Sequence, residues 1–262
     1  MMYILFVLVS FGASIIGAIC GIGGGVIIKP TLDAFGVLSV ASISFLSGCT
    51  VLSMSCYSVL KAKMAGDSNI DMKTGTPLAM GAAVGGVAGK MMFQYLSDMF
   101  ADKDMVGAVQ AACLMLITVG TLIYTINKAK IKTRKLTNAG MCLVIGLVLG
   151  IMSSFLGIGG GPINLVVLFY FFSMSTKVAA ANSLYIILFS QITSLANTLI
   201  TRTVPEFDVM LLILMVISGI GGGMAGRAIN KKIDSDTVDK LFVGLMVALI
   251  LINIYNIYWF MV

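Results

Sequence analysis

The pentapeptide Gly-Ile-Gly-Gly-Gly stands at residues 21–25 and 157–161, at matching places in two long apolar runs that it interrupts, and a third copy stands at 219–223. Inside a bilayer every backbone donor and acceptor needs a partner. Irregular chain at membrane depth is therefore tolerated only where protein buries it or where it lines a wet cavity. Two matched interruptions point to a duplicated membrane protein whose breaks are candidate binding sites.

The apolar runs support the membrane assignment. Hydrophobic residues fill 59% of the 262 positions and charged residues 11%, the mean hydropathy is +1.05, and several runs approach the ~20 apolar residues that cross hydrocarbon. Such a surface excludes a soluble enzyme. About eight to ten hydrophobic segments fit, with no separate soluble domain. The first ten residues lack a basic n-region and a small-residue cleavage site, so they read as the start of the first span. The five cysteines, Cys20, Cys49, Cys56, Cys113 and Cys142, lie in apolar runs and are odd in number, the pattern of small packing residues and not of disulfides. Histidine is absent and the acidic residues stand nearly all in loops. No metal site, cofactor or nucleophile–base pair is expected, and the chain is not read as an enzyme.

Both halves follow the order long, short, long, long, long. The first has segments 2–20, 26–38, 40–60, 76–95 and 105–126; the second has 139–156, 162–172, 178–200, 209–225 and 241–260. A basic linker with Lys128, Lys130, Lys132, Arg134 and Lys135 joins them. The division is a first repeat at 1–127, the linker at 128–137 and a second repeat at 138–262, forming one membrane domain. The letters repeat too: GGVAGK at 85–90 matches GGMAGR at 222–227, and the run from Leu114 resembles the run from Leu245.

Basic residues near span ends mark the cytoplasmic side. That rule places the linker, Lys61, Lys63, Lys73, Lys177, Arg227, Lys231, Lys232 and Lys240 inside, with Asp98, Asp102, Asp104, Glu206, Asp208 and both termini outside. Each half then crosses an odd number of times. The expected fold is an all-α polytopic membrane protein of two inverted-topology repeats, each a glycine-broken helical hairpin plus three full spans. Hairpins entering from opposite faces bring their tips together near the midplane, as in many secondary transporters. The net charge of +6 belongs to the cytoplasmic loops and is no evidence for nucleic acid.

At such a junction each short helix presents unpaired N–H groups and the positive end of its dipole, a setting for a small anion. Glycine permits left-handed backbone angles and leaves no Cβ in a ligand's way. Pro162 suits a first helical position. Pro30 stands further in, so the first short helix is expected to start later or to be distorted. The candidate substrate contacts are Gly21, Ile22, Gly23, Gly24 and Gly25 together with Gly157, Ile158, Gly159, Gly160 and Gly161. Lys29 has three options: an anion, the interface, or Asp33 at i+4. Asn164, Asn182 and Ser183 carry polar groups that need partners in lipid, from a ligand or from neighbouring helices. Cys20, Ser47 and Gln191 complete the set. Two other glycine series, Gly12, Gly17 and Gly21 and Gly81, Gly85 and Gly89, read as close-packing surfaces.

The motif Gly21-Ile22-Gly23-Gly24-Gly25 with Pro30 downstream, repeated from Gly157, resembles the sulfite exporter TauE/SafE (TSUP) family of membrane permeases over nearly the whole chain. Two positions depart from the family pattern: Val166 replaces a proline equivalent to Pro30, and Lys29 stands where an apolar residue is usual. The family's second, small-polar motif is similar to Ala181-Asn182-Ser183, with Ser47-Gly48-Cys49 as its first-half counterpart. The resemblance implies a multi-pass protein of the cell membrane that transports a sulfur-containing anion such as sulfite, thiosulfate or an organosulfonate. Helix ends alone imply no more than a small anion. A secondary transporter, exporter or facilitator, working by alternating access is expected, with a passive anion channel or a cation-coupled importer as alternatives. The partners are the anion and the lipid bilayer, and nothing in the sequence decides between a monomer and a homodimer.

Overall fold

The computed structural model describes residues 2–66, 70–100 and 103–261, so Asp102 of the expected acidic loop lies outside the described residues. Among these residues there are ten α-helices and no strand. The first half holds α1 (Met2–Cys20), α2 (Gly25–Asp33), α3 (Val40–Met64), α4 (Met72–Met99) and α5 (Lys103–Asn127). The second holds α6 (Ala139–Phe155), α7 (Pro162–Phe172), α8 (Thr176–Ile200), α9 (Val209–Lys232) and α10 (Ser235–Met261). Six helices are long and apolar enough to cross a membrane, and α6 and α7 are shorter apolar helices. Ile4, Leu8, Val84, Leu116, Ile200 and Leu251 turn outward at 60–81% exposure, a surface that only lipid satisfies. The chain is a polytopic α-helical membrane protein.

Several helices outrun their apolar segments because capping, not hydropathy, sets their ends. Asp71 starts α4 ahead of the expected residue 76: its carboxylate accepts the Lys73 N–H at 3.0 Å and the Thr74 hydroxyl at 2.7 Å. Asp208 starts α9 at the expected Val209 by accepting the Met210 N–H at 2.7 Å, and the helix then runs past the expected residue 225 to Lys231 and Lys232. The first short helix differs from expectation. It starts at Gly25, not later, because the Ile27 and Ile28 N–H groups bond the Gly24 carbonyl at 3.0 and 2.9 Å. Pro30 lies inside it, and the helix stops at Asp33, short of residue 38.

Helix pairing has a simple pattern. α1 packs along α9 and α4 along α6; α3 lies against α8 and α9, α4 also against α8, and α5 against α10. Exchanging α1–α5 for α6–α10 in order returns the same set of pairs. A Cβ on Gly81, Gly85 or Gly89 would fall 2.0, 2.1 or 2.3 Å from the carbonyl oxygens of Leu143, Leu147 and Ile151. Gly146 and Gly150 meet the Leu78 and Ala82 carbonyls just as closely, so α4 and α6 run parallel with backbones nearly touching. Gly222 and Gly226 do the same for α9 against Phe11 and Ile15 of α1. Gly12 does not act as a packing residue, since a Cβ there would meet nothing within 4 Å. α5 and α10 are antiparallel: Gly107 faces the Phe260 ring, and Lys128, just past α5, pairs with Asp239 near the start of α10.

The linker is pinned to the end of α7, where the Arg134 and Leu136 N–H groups bond the Tyr170 and Phe171 carbonyls at 2.7 and 2.9 Å. The side of the molecule that holds it is termed the linker face, and the opposite side the far face.

Candidate functional site

α1 ends at Cys20 and the chain turns back into α2 with positive φ at Gly21 (75°) and Gly23 (74°). α6 turns into α7 through Gly157 (66°), Gly159 (70°) and Gly160 (146°). A side chain at such angles costs roughly 1–2 kcal/mol per residue, which accounts for the glycines. The two turns abut. A Cβ on Gly25 would lie 2.0 Å from the Ile158 carbonyl oxygen, and one on Gly160 would lie 3.1 Å from that of Ile22. Val51 of α3 and Ile187 of α8 press on both: a Cβ on Gly23 would be 3.4 Å from each. Neither α2 nor α7 has a side-chain cap on its first turn, so both short helices begin at this junction with their leading N–H groups uncapped by side chains. Ile22 and Ile158 are fully or nearly fully buried, and the junction is a packed plug.

The predicted polar residues have different fates. Lys29 pairs with Asp33 at 2.6 Å, both side chains 4% exposed, while its Cε packs 3.4 Å from where a Gly157 Cβ would be. Gln191 reaches the second turn, its Nε2 3.0 Å from the same point on Gly159. The Asn164 amide donates to Ser183 Oγ at 3.4 Å, and its carbonyl oxygen is buried without a partner. Asn182 ties helices together: its carbonyl accepts the Asp71 N–H at 3.1 Å and its amide donates to the Val178 carbonyl at 2.8 Å. Cys20 is buried with a free thiol, and the Ser47 hydroxyl is buried without a hydrogen bond.

One register relates the two halves here. Gly21 abuts Ala180 and Gly157 abuts Ser44, and the shift that takes Gly21 to Gly157 also takes Ser44 to Ala180 and Val51 to Ile187. By that shift the counterpart of Ala181-Asn182-Ser183 is Phe45-Leu46-Ser47, and not Ser47-Gly48-Cys49. The motif was hard to see because only its serine survives in the first half.

A cavity of about 230 Å³ opens on the linker face, lined among others by Ala18, Ala180, Lys177, Arg227 and Lys231. It ends beside the first turn: Ala180, which lines it, is the residue against which Gly21 packs. Arg227 Nη1 donates to the Ser58 carbonyl at 3.5 Å, and Asn230 donates to the Ile19 carbonyl at 2.6 Å. Cations along the walls of a cleft raise the local concentration of anions. In the sequence these three basic residues counted only toward orientation, although the GGVAGK/GGMAGR match already singled out Arg227.

A family profile described as sulfite exporter TauE/SafE matches residues 6–252. The chain is similar to "Probable membrane transporter protein YunE" of Bacillus subtilis, 26% identical with 98% of both chains covered. It is also similar to "Probable membrane transporter protein MJ0441" of Methanocaldococcus jannaschii, 24% identical with 87% of this chain and 86% of the relative covered. No solved structure matches significantly.

Proposed function

The chain belongs to the sulfite exporter TauE/SafE family and is a membrane transporter, and from that premise we propose that it carries a small sulfur-containing anion, such as sulfite, thiosulfate or an organosulfonate, bound where the two glycine turns meet. One observation carries the proposal: a basic cavity on the linker face ends at Ala18 and Ala180, beside the first of two abutting glycine turns that open into uncapped helices. At about 230 Å³, many times the roughly 10–15 Å³ that one water molecule needs, it admits a small anion with part of its hydration shell.

The filled junction favours a carrier over the passive-channel alternative. With Ile22, Ile158, Val51 and Ile187 packed there, passage requires one set of contacts to part as another forms. The interchangeable helix pairs support reading the halves as inverted repeats that rock about the turns. By the positive-inside rule we read the linker face as cytoplasmic and both termini as outside. Cytoplasmic loading makes outward movement the natural direction, because a negative interior assists each exported charge by about 2.3 kcal/mol per 100 mV.

Thermal unfolding of the purified protein tests the cargo. A ligand present at 100 times its Kd adds about 2.7 kcal/mol of stability, so sulfite, thiosulfate or methanesulfonate is expected to raise the melting temperature. Arg227→Gln is expected to weaken that response about tenfold in ligand concentration. A response to carboxylates alone, or to none of these anions, contradicts the proposal.

A further inference from the structure

The open cavity on the linker face has a divided counterpart on the far face. Ser44, Phe45, Ser154, Ser194 and Thr198 line a narrow space of about 20 Å³ together with Lys90. By the shift that relates the two glycine turns, the first five correspond to Ala180, Ala181, Ala18, Ser58 and Ala62. By the GGVAGK/GGMAGR match, Lys90 corresponds to Arg227. All six counterparts line the single open cavity on the linker face. The correspondence then crosses a wall. Ala41 and Phe93, counterparts of Lys177 and Asn230, line a separate space of about 760 Å³ on the far face.

Three phenylalanines build that wall. The Phe45 ring lies 5.1 Å from Phe207, in the connection between α8 and α9, and Lys90 Nζ sits 5.0 Å above the Phe93 ring. On the linker face the counterparts of Phe45 and Phe93 are the smaller Ala181 and Asn230, and that cavity is open. The narrow space holds about one water molecule, which needs roughly 10–15 Å³.

Its chemistry is that of an anion site. Lys90 has no carboxylate partner among the described residues, and an aromatic face compensates a cation by only about 0.5–2 kcal/mol. The Ser44 and Ser154 hydroxyls are buried without a hydrogen bond, and Ser44 Oγ lies 2.5 Å from where a Gly157 Cβ would be. Gln191 also lines the space. An ammonium, unpartnered hydroxyls and an amide converge beside the second glycine turn, and all can donate to an oxyanion.

We propose that this narrow space is the far-face oxyanion site of the transport path, in which Lys90 takes the anion that Arg227 receives on the linker face, and that Phe45, Phe93 and Phe207 form the gate that constricts it in this conformation. The inference rests on the transport reading above and adds to it a second site and the residues that constrict it.

Thiol labelling of the full-length protein in detergent tests both parts. Ala62→Cys and Thr198→Cys occupy corresponding positions on the two faces, and each is measured with a polar maleimide above the rate given by the native cysteines. Ala62→Cys is expected to react readily and Thr198→Cys slowly. Adding Phe45→Ala, or Phe207→Ala as a second background, accelerates Thr198→Cys at least tenfold. Methanesulfonate, which unlike sulfite does not itself add to the maleimide, slows that accelerated reaction; Lys90→Gln removes the protection and Lys90→Arg keeps it. Thr198→Cys labelling that is unchanged in both backgrounds, or protection indifferent to Lys90→Gln, overturns the inference while leaving the transport reading in place. An unreactive Ala62→Cys overturns the transport reading, and this inference with it.

Discussion

The two glycine turns share a sequence but are held differently. The first leads into a helix that begins at Gly25 and contains a buried ion pair, Lys29 with Asp33. It also contains Pro30, whose carbonyl oxygen accepts the Asn256 amide at 2.8 Å. The second leads into a helix that begins at Pro162 after an extended Gly161, φ −177°. There the positions of Lys29 and Asp33 are taken by Leu165 and Phe169, both buried apolar residues. The turn is thus alike in both halves while its support differs: charge and an inter-helix hydrogen bond on one side, apolar packing on the other.

The largest expected effect separates corresponding glycines. Gly25→Ala drives a methyl to 2.0 Å from the Ile158 carbonyl oxygen, backbone that cannot step aside, whereas Gly161→Ala meets only the end of the Ile158 side chain at 3.1 Å. Overpacking at the first site is expected to cost about 1–3 kcal/mol, on top of a disturbed junction. Unfolding and flux measurements should show Gly25→Ala inactive and Gly161→Ala nearly normal; equal behaviour would erase the contrast.

Removing one partner of a buried ion pair costs about 3–5 kcal/mol, whereas replacing both with apolar residues is often neutral. Lys29→Leu alone should therefore lower the melting temperature sharply. Lys29→Leu combined with Asp33→Phe, the pair already present in the second hairpin, should recover most of the loss. If the double variant folds but fails to transport, Lys29 serves the anion as well as Asp33.

Smaller shifts follow at the edges of the comparison. Asn256→Leu deletes the hydrogen bond to Pro30 and should destabilise by about 1 kcal/mol, with no counterpart cost in the second hairpin. Gly12→Ala adds a methyl where nothing lies within 4 Å, and by helix propensity it should stabilise by roughly 0.5–1 kcal/mol.

Much of this was legible in the letters. Hydropathy and Pro162 located α1 and α7 to the residue, because an abrupt glycine turn bounds each of them. The start of α4 was missed since Asp71 extends the helix beyond hydrocarbon, where hydropathy carries no signal, and the end of α9 was missed because that helix runs on through Arg227 to Lys231 and Lys232. The glycine turns announced themselves as the candidate site by repetition. The cations of the linker-face cavity did not, because Lys177, Arg227 and Lys231 satisfy the orientation rule equally well and only packing brings them to one wall. Lys29 left three partners open in one dimension, and Asp33 one helical turn away is the one that it reaches.

The central claim is that the abutting turns bind a sulfur-containing anion in alternation from two faces. Counterflow of radiolabelled sulfite in proteoliposomes tests it most directly. Unlabelled sulfite inside should accelerate uptake of the labelled ion, the effect should saturate, and Gly25→Ala should abolish it while Gly161→Ala does not. A non-saturating flux indifferent to internal sulfite, or counterflow that survives in Gly25→Ala, would contradict the account.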